Sequence, residues 1–103
     1  MSATIKVFQV GDKCFKHVMS SDHERVELRD EDGRTLLTYS EDDKVYDQRG
    51  RLGDFHMDFS DCRPRWLFCP MPSDTCVMLS PDLQSAKLEV SRRYIAQLGL
   101  LAA

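Results

Sequence analysis

The chain has 103 residues, 42% of them hydrophobic and 30% charged, with a formal net charge of −3. That size and composition place it as one globular domain outside the disordered class, and no apolar run approaches the about 20 residues that span a bilayer as a helix. The charge is uneven: residues 22–61 hold thirteen acids and six bases, whereas both flanks are net positive, and an acidic middle of this kind repels phosphate and attracts basic surfaces.

Thr4 to Val10 alternates and is rich in β-branched and aromatic types, Gly11-Asp12 is a turn signal, and Lys13 to Met19 resumes the run. This predicts a hairpin with a two-residue loop. After a turn cluster at Ser20 to His23, Arg25 to Arg29 alternates with Val26 and Leu28 facing inward. Asp30-Glu31-Asp32-Gly33 forms a tight loop, with Gly33 free to take a positive φ, and Thr35 to Ser40 returns. Glu41-Asp42-Asp43 is the next loop, Lys44 to Tyr46 a short strand, and Asp47 to Gly50 a tight turn. Asp54 to Ser60 places Phe55, Met57 and Phe59 on one face and Asp54, His56 and Asp58 on the other, the pattern of a strand with one wet side. The apolar run Trp66 to Cys69 predicts a strand buried on both faces, paired across the loop Pro70 to Asp74 with Thr75 to Leu79.

The C-terminal segment predicts a helix over 80–99. Ser80 serves as N-cap, Pro81 fits the first helical position, and Asp82 complements the positive end of the dipole. Leu83, Ala86, Val90, Tyr94 and Leu98 fall on one stripe, and Gly99 reads as the stop. A lone amphipathic helix is unstable in water, so the stripe packs on the sheet. The expected fold is α+β: an antiparallel hairpin or meander sheet, open or curled toward a barrel, against one C-terminal helix. It forms a single domain over 1–103, with 1–79 β-rich.

Asp30-x-x-Gly33-Arg34 recurs as Asp47-x-x-Gly50-Arg51. The stretch Tyr46-Asp47-x-x-Gly50-Arg51-Leu52 resembles one unit of the tyrosine–aspartate (Rhs-type) repeats over seven residues, with no array following. Turn chemistry accounts for it, since aspartate starts the turn and glycine supplies the left-handed residue. No function is carried over from the resemblance.

Cys14-x-x-His17 has chelating spacing, but a strand sends the two side chains to opposite faces. Cys62, Cys69 and Cys76 lie seven apart, which matches no zinc-site spacing, so neither a metal nor another cofactor is expected. Cys69 and Cys76 read as small core thiols on facing strands. The first ten residues already alternate as a strand, with no basic start and long apolar stretch, so the expected compartment is the cytoplasm and the expected state of the cysteines is reduced. Asp54-x-His56-x-Asp58 reads as a solvated strand face. The alternative is an acid–base pair or a hard-cation site. No Gly-x-Ser-x-Gly elbow and no phosphate-cradling glycine loop occurs, so no catalytic residue is assigned and no enzyme is expected.

Two features favour a protein partner. The loops holding Asp30, Glu31 and Asp32, and Glu41, Asp42 and Asp43, with Asp47 beyond, would steer a basic surface if they lie together. Trp66 and Met71, the latter held between Pro70 and Pro72, have the character of interface anchors, and the alternative, favoured for Trp66, is a core tryptophan capped by Met71. The leading expectation is a non-catalytic interaction module, an inhibitor, adaptor or antitoxin-like protein presenting carboxylates to a basic partner. By analogy alone, small acidic domains of phages and mobile elements that block host nucleic-acid-binding defence complexes are of this kind. A small ligand-binding or enzymatic barrel with His56 or a cysteine at a pocket is the second reading. An RNA-associated module using Arg63, Arg65 and Trp66 is the third, opposed by the acidic middle, which argues against direct nucleic-acid binding. Edge strands of such a sheet leave a route to a homodimer.

Overall fold

In a computed structural model of the protein, which describes residues 4–20, 25–59, 64–70 and 76–102, the strands follow one another as an antiparallel meander. They are β1 (Thr4–Val10), β2 (Lys13–Met19), β3 (Val26–Arg29), β4 (Thr35–Tyr39), β5 (Lys44–Asp47), β6 (Gly50–Asp58), β7 (Arg65–Pro70) and β8 (Val77–Met78). Each pairs only with its chain neighbours, so the eight-stranded sheet is open and ends in two edges, β1 and β8. The helix α1 (Leu83–Ala102) lies on one face and meets β1 on one flank and β7 on the other. The sheet is therefore a trough, with the helix along its floor.

Alternation decides which residues line the trough. Phe8, Phe15, Val26, Leu28, Leu37, Tyr39, Val45, Phe55, Phe68 and Leu79 point inward and meet Ala86, Val90 and Ile95 of the helix. The two-residue loop of the first hairpin holds, with Val10 opposite Lys13 and Phe8 opposite Phe15. Gly33 takes the positive φ its loop demands, at 83°. Leu52 is the bulge residue where the β5–β6 register shifts, which turns it inward against the core. Gly53 is required for closeness: a Cβ there would sit 2.6 Å from the Cys69 carbonyl oxygen and 2.7 Å from the Phe68 ring.

Four expectations are corrected. Cys69 and Cys76 are joined by a disulfide rather than being core thiols, because the β7–β8 hairpin brings their Cα atoms to 4.2 Å. Strand β7 is not buried on both faces: Phe68 is buried, while Leu67 and Cys69 on its outer side are half-exposed. The helix begins at Leu83, not 80, with Asp82 as N-cap. The Asp82 carboxylate accepts from the backbone N–H of Ser85 at 2.9 Å and from its hydroxyl, while the Ser80 hydroxyl accepts from Asp82 N in the preceding turn. The helix also runs through Gly99 to Ala102. Among the described residues no helix is long and apolar enough to cross a membrane.

Candidate functional site

In a meander, successive turns alternate between the two ends of the sheet. The β1–β2, β3–β4 and β5–β6 turns share one end, and the β4–β5 turn lies at the other. Asp12, Asp30, Glu31, Asp32 and Asp47 are thereby brought to one end, while Glu41, Asp42 and Asp43 sit at the opposite end. The acidic loops form two groups, not one row.

Several of these carboxylates also have local work. Asp30 accepts from the backbone N–H groups of Asp32 and Arg34, and Asp47 does the same for Arg49 and Gly50. Both hold turns. Glu31 reaches back to accept from Cys14 N at 2.8 Å. Asp42 accepts from the Ser40 hydroxyl and pairs with Lys44 at 3.2 Å; the Ser40 hydrogen bond comes first among the causes that hold its carboxyl below the usual range. Asp43 adopts a left-handed backbone, φ 63°, and its carbonyl accepts from Phe55 N. Among the described residues the carboxylates of Asp12, Asp32 and Glu41 have no such engagement.

At the shared end the two turns and the last half of α1 enclose a cleft of about 500 Å³. Asp12, Asp30, Glu31 and Asp32 border it against one cation, Lys13, and Phe15, Leu36, Ile95 and Leu98 supply an apolar floor. Cys14 borders it through its backbone, while its thiol is on the outer face of β2 beside the Gln9 side chain. An apolar depression rimmed by carboxylates suits a ligand that is apolar at its centre and cationic around it.

The other sequence-derived candidates are dispersed. Trp66 is half-buried on the helix side of β7, edge-on to Phe55 at 6.3 Å between ring centroids, so it belongs to the core margin rather than to a protruding anchor. Arg65 is on the outer face, its guanidinium 3.4 Å from the Met78 sulfur, so β7 splits the basic–aromatic patch between two faces. Met71, Arg63 and Cys62 lie outside the described residues. His56 is on the outer face with Nε2 4.0 Å from an Asp54 carboxylate oxygen, and Asp54 is itself engaged by the Arg51 guanidinium. Among the described residues no three His, Cys, Asp or Glu side chains are placed to hold a metal ion.

One cluster was not read from the sequence. His17 Nε2 lies 2.7 Å from Ser91 Oγ, Ser91 Oγ lies 2.5 Å from the Tyr39 hydroxyl, and that hydroxyl donates to the Lys87 carbonyl at 2.9 Å. Each hydroxyl has one proton, so Ser91 donates to Tyr39 and His17 donates to Ser91, which places a proton on Nε2. Burial comes first among the causes that lower the His17 pKa to about 4, followed by Lys6 and Lys87. Burial also raises Tyr39 above its ordinary value and lowers the ammonium of Lys87. An activated serine needs an imidazole nitrogen that accepts its proton; here His17 donates to Ser91 instead, Ser91 is 0% exposed, and the chain of hydrogen bonds pins helix to sheet. The signal was available: His17 shares the inward period of Phe15, and Lys87 and Ser91, one residue after Ala86 and Val90, lie on the flank of the helix stripe between Tyr94 and Ile95. No protein family, no characterised protein and no solved structure matches this chain.

Proposed function

We propose that the protein is a non-catalytic interaction module that takes a basic segment with an apolar anchor in the cleft between the β1–β2 and β3–β4 turns. The observation that supports this reading is the meeting of four carboxylates with an apolar floor at one end of the trough. The carboxylates would raise the encounter rate with a cationic partner and select against acidic ones. The floor supplies area that charge alone does not. The opposite acidic turn, Glu41 to Asp43, has no part in it.

The test is a fluorescent peptide library in which one apolar side chain is flanked by lysine or arginine, read by anisotropy at low and moderate salt. Binding that weakens with salt is expected. The double variant Asp12→Lys with Asp32→Lys should weaken it roughly tenfold or more, on the scale of two exposed charge contacts reversed. Glu41→Lys should leave it unchanged. Equal affinity for the double variant and the parent would remove the reading. A neutral small-molecule ligand that binds the parent and is lost on Leu98→Lys, with no peptide binding, would favour a ligand-binding pocket in its place.

A further inference from the structure

We infer that the chain pairs with a second copy of itself along the free edge of β1, antiparallel and centred on Val7. The two edges of the sheet are unequal: β1 has seven residues and β8 has two. Strand β1 carries two large apolar side chains on the outer face, Ile5 at 57% and Val7 at 66% exposure. Ile5 lies opposite Val18 of β2 on the same outer face. A long edge with apolar side chains and a single charge, Lys6, lacks the usual protection against another strand.

The backbone of β1 restricts the partner further. Val10 and Lys13 flank a two-residue loop and so exchange both of their backbone hydrogen bonds. Even-numbered residues of β1 therefore bond to β2, and the N–H and C=O groups of Ile5, Val7 and Gln9 point to the open edge. Arg92 agrees with this, since its guanidinium reaches around the edge to the Gln9 carbonyl at 3.0 Å. A second β1 must offer its own odd residues. The register with Ile5 opposite the partner copy's Val7 sets Lys6 against the partner copy's Lys6, about 5 Å apart. Moving the centre to Val7 places Val7 against its counterpart, Ile5 against Gln9 and Lys6 against Phe8, with the two Lys6 side chains offset to about 8 Å. This register gives about six interchain backbone bonds. The Gln9 carbonyl has two lone pairs and accepts both Arg92 and the incoming N–H.

Such a strand pair falls below the about 1,200 Å² of a standard interface, so the dimer should dissociate in the micromolar range. Salt screens the two Lys6 charges and strengthens it, the opposite sign to the cleft, so this inference stands or falls apart from the proposed function.

Sedimentation equilibrium from about 1 to about 300 µM is the test, spanning the micromolar range. A reversible shift from the 11.9 kDa chain to twice that mass is expected. Val7→Pro removes an N–H that β2 does not use and should weaken association at least tenfold while keeping the native circular dichroism. Val7→Lys gives the same loss through charge should the proline disturb the strand. Under oxidation Val7→Cys should cross-link to its counterpart and Ile5→Cys should not. A chain that stays monomeric throughout, or a dimer that survives both Val7 variants in folded protein, overturns the inference.

Discussion

Acidification from neutral pH should loosen the helix from the sheet through His17. Its imidazole is 7% exposed and its pKa is lowered from 6.5 to about 4, first by burial and then by Lys6 and Lys87. The unfolded chain binds a proton near pH 6.5 and the folded chain does not until about pH 4. Stability from this group is therefore complete above 6.5, falls as pH drops through the interval, and is constant below 4. The difference corresponds to about 3 kcal/mol, a third or more of the roughly 5–10 kcal/mol that holds a domain of this size. Protonation adds a charge and also a second donor to a ring whose Nε2–H already serves Ser91. The assay is urea unfolding across this interval, read through Trp66, the only tryptophan. The control is His17→Gln, which keeps a polar group toward Ser91 but does not titrate. The parent should lose about 3 kcal/mol more than the control between neutral pH and about pH 4. Parallel curves, agreeing within about 0.5 kcal/mol, would refute the reasoning.

Three further outcomes are expected. Gly53→Ala should lower stability by about 1–3 kcal/mol in denaturant unfolding, because its methyl group meets the Cys69 carbonyl and Phe68 ring with no space to yield. Replacing Cys69 and Cys76 together by serine should cost about 2–3 kcal/mol, the scale of the short loop their bond closes, and reductant should destabilise the parent but not this variant. Asp82→Ala should cost about 1 kcal/mol of thermal stability and Ser80→Ala much less, since the Asp82 carboxylate caps the first turn.

Strand existence and pairing were legible because alternation and turn chemistry agree along most of the first sixty residues; Phe59, expected inward with Phe55, instead lies past the end of β6 and is 74% exposed. Gly11-Asp12 and Gly33 mark their loops, and inward Val26, Leu28 and Phe55 lie where period two puts them. The helix cap was misplaced because Ser80, Pro81 and Asp82 offer competing starts, and only the carboxylate geometry selects Asp82. The disulfide was hidden because a spacing of seven has no meaning until the β7–β8 hairpin folds it back. The candidate site was half legible. The acidic turns are visible in the sequence, but which of them share an end follows from strand parity, and the cleft's floor needs Ile95 and Leu98 from a distant helix. The pinning cluster escaped because lysine and serine on an apolar stripe count as interruptions until a buried histidine and tyrosine face them.

The order of elements along the chain also shapes how the protein is made. All eight strands precede the helix along the chain, so a sheet that forms during synthesis would have its apolar concave face uncovered. Phe8, Phe15, Phe55 and Phe68 are then offered to chaperones and to neighbouring nascent chains until α1 emerges to cover them. Low temperature and slow expression should favour the native product, and a truncation before residue 83 should yield sticky, insoluble material.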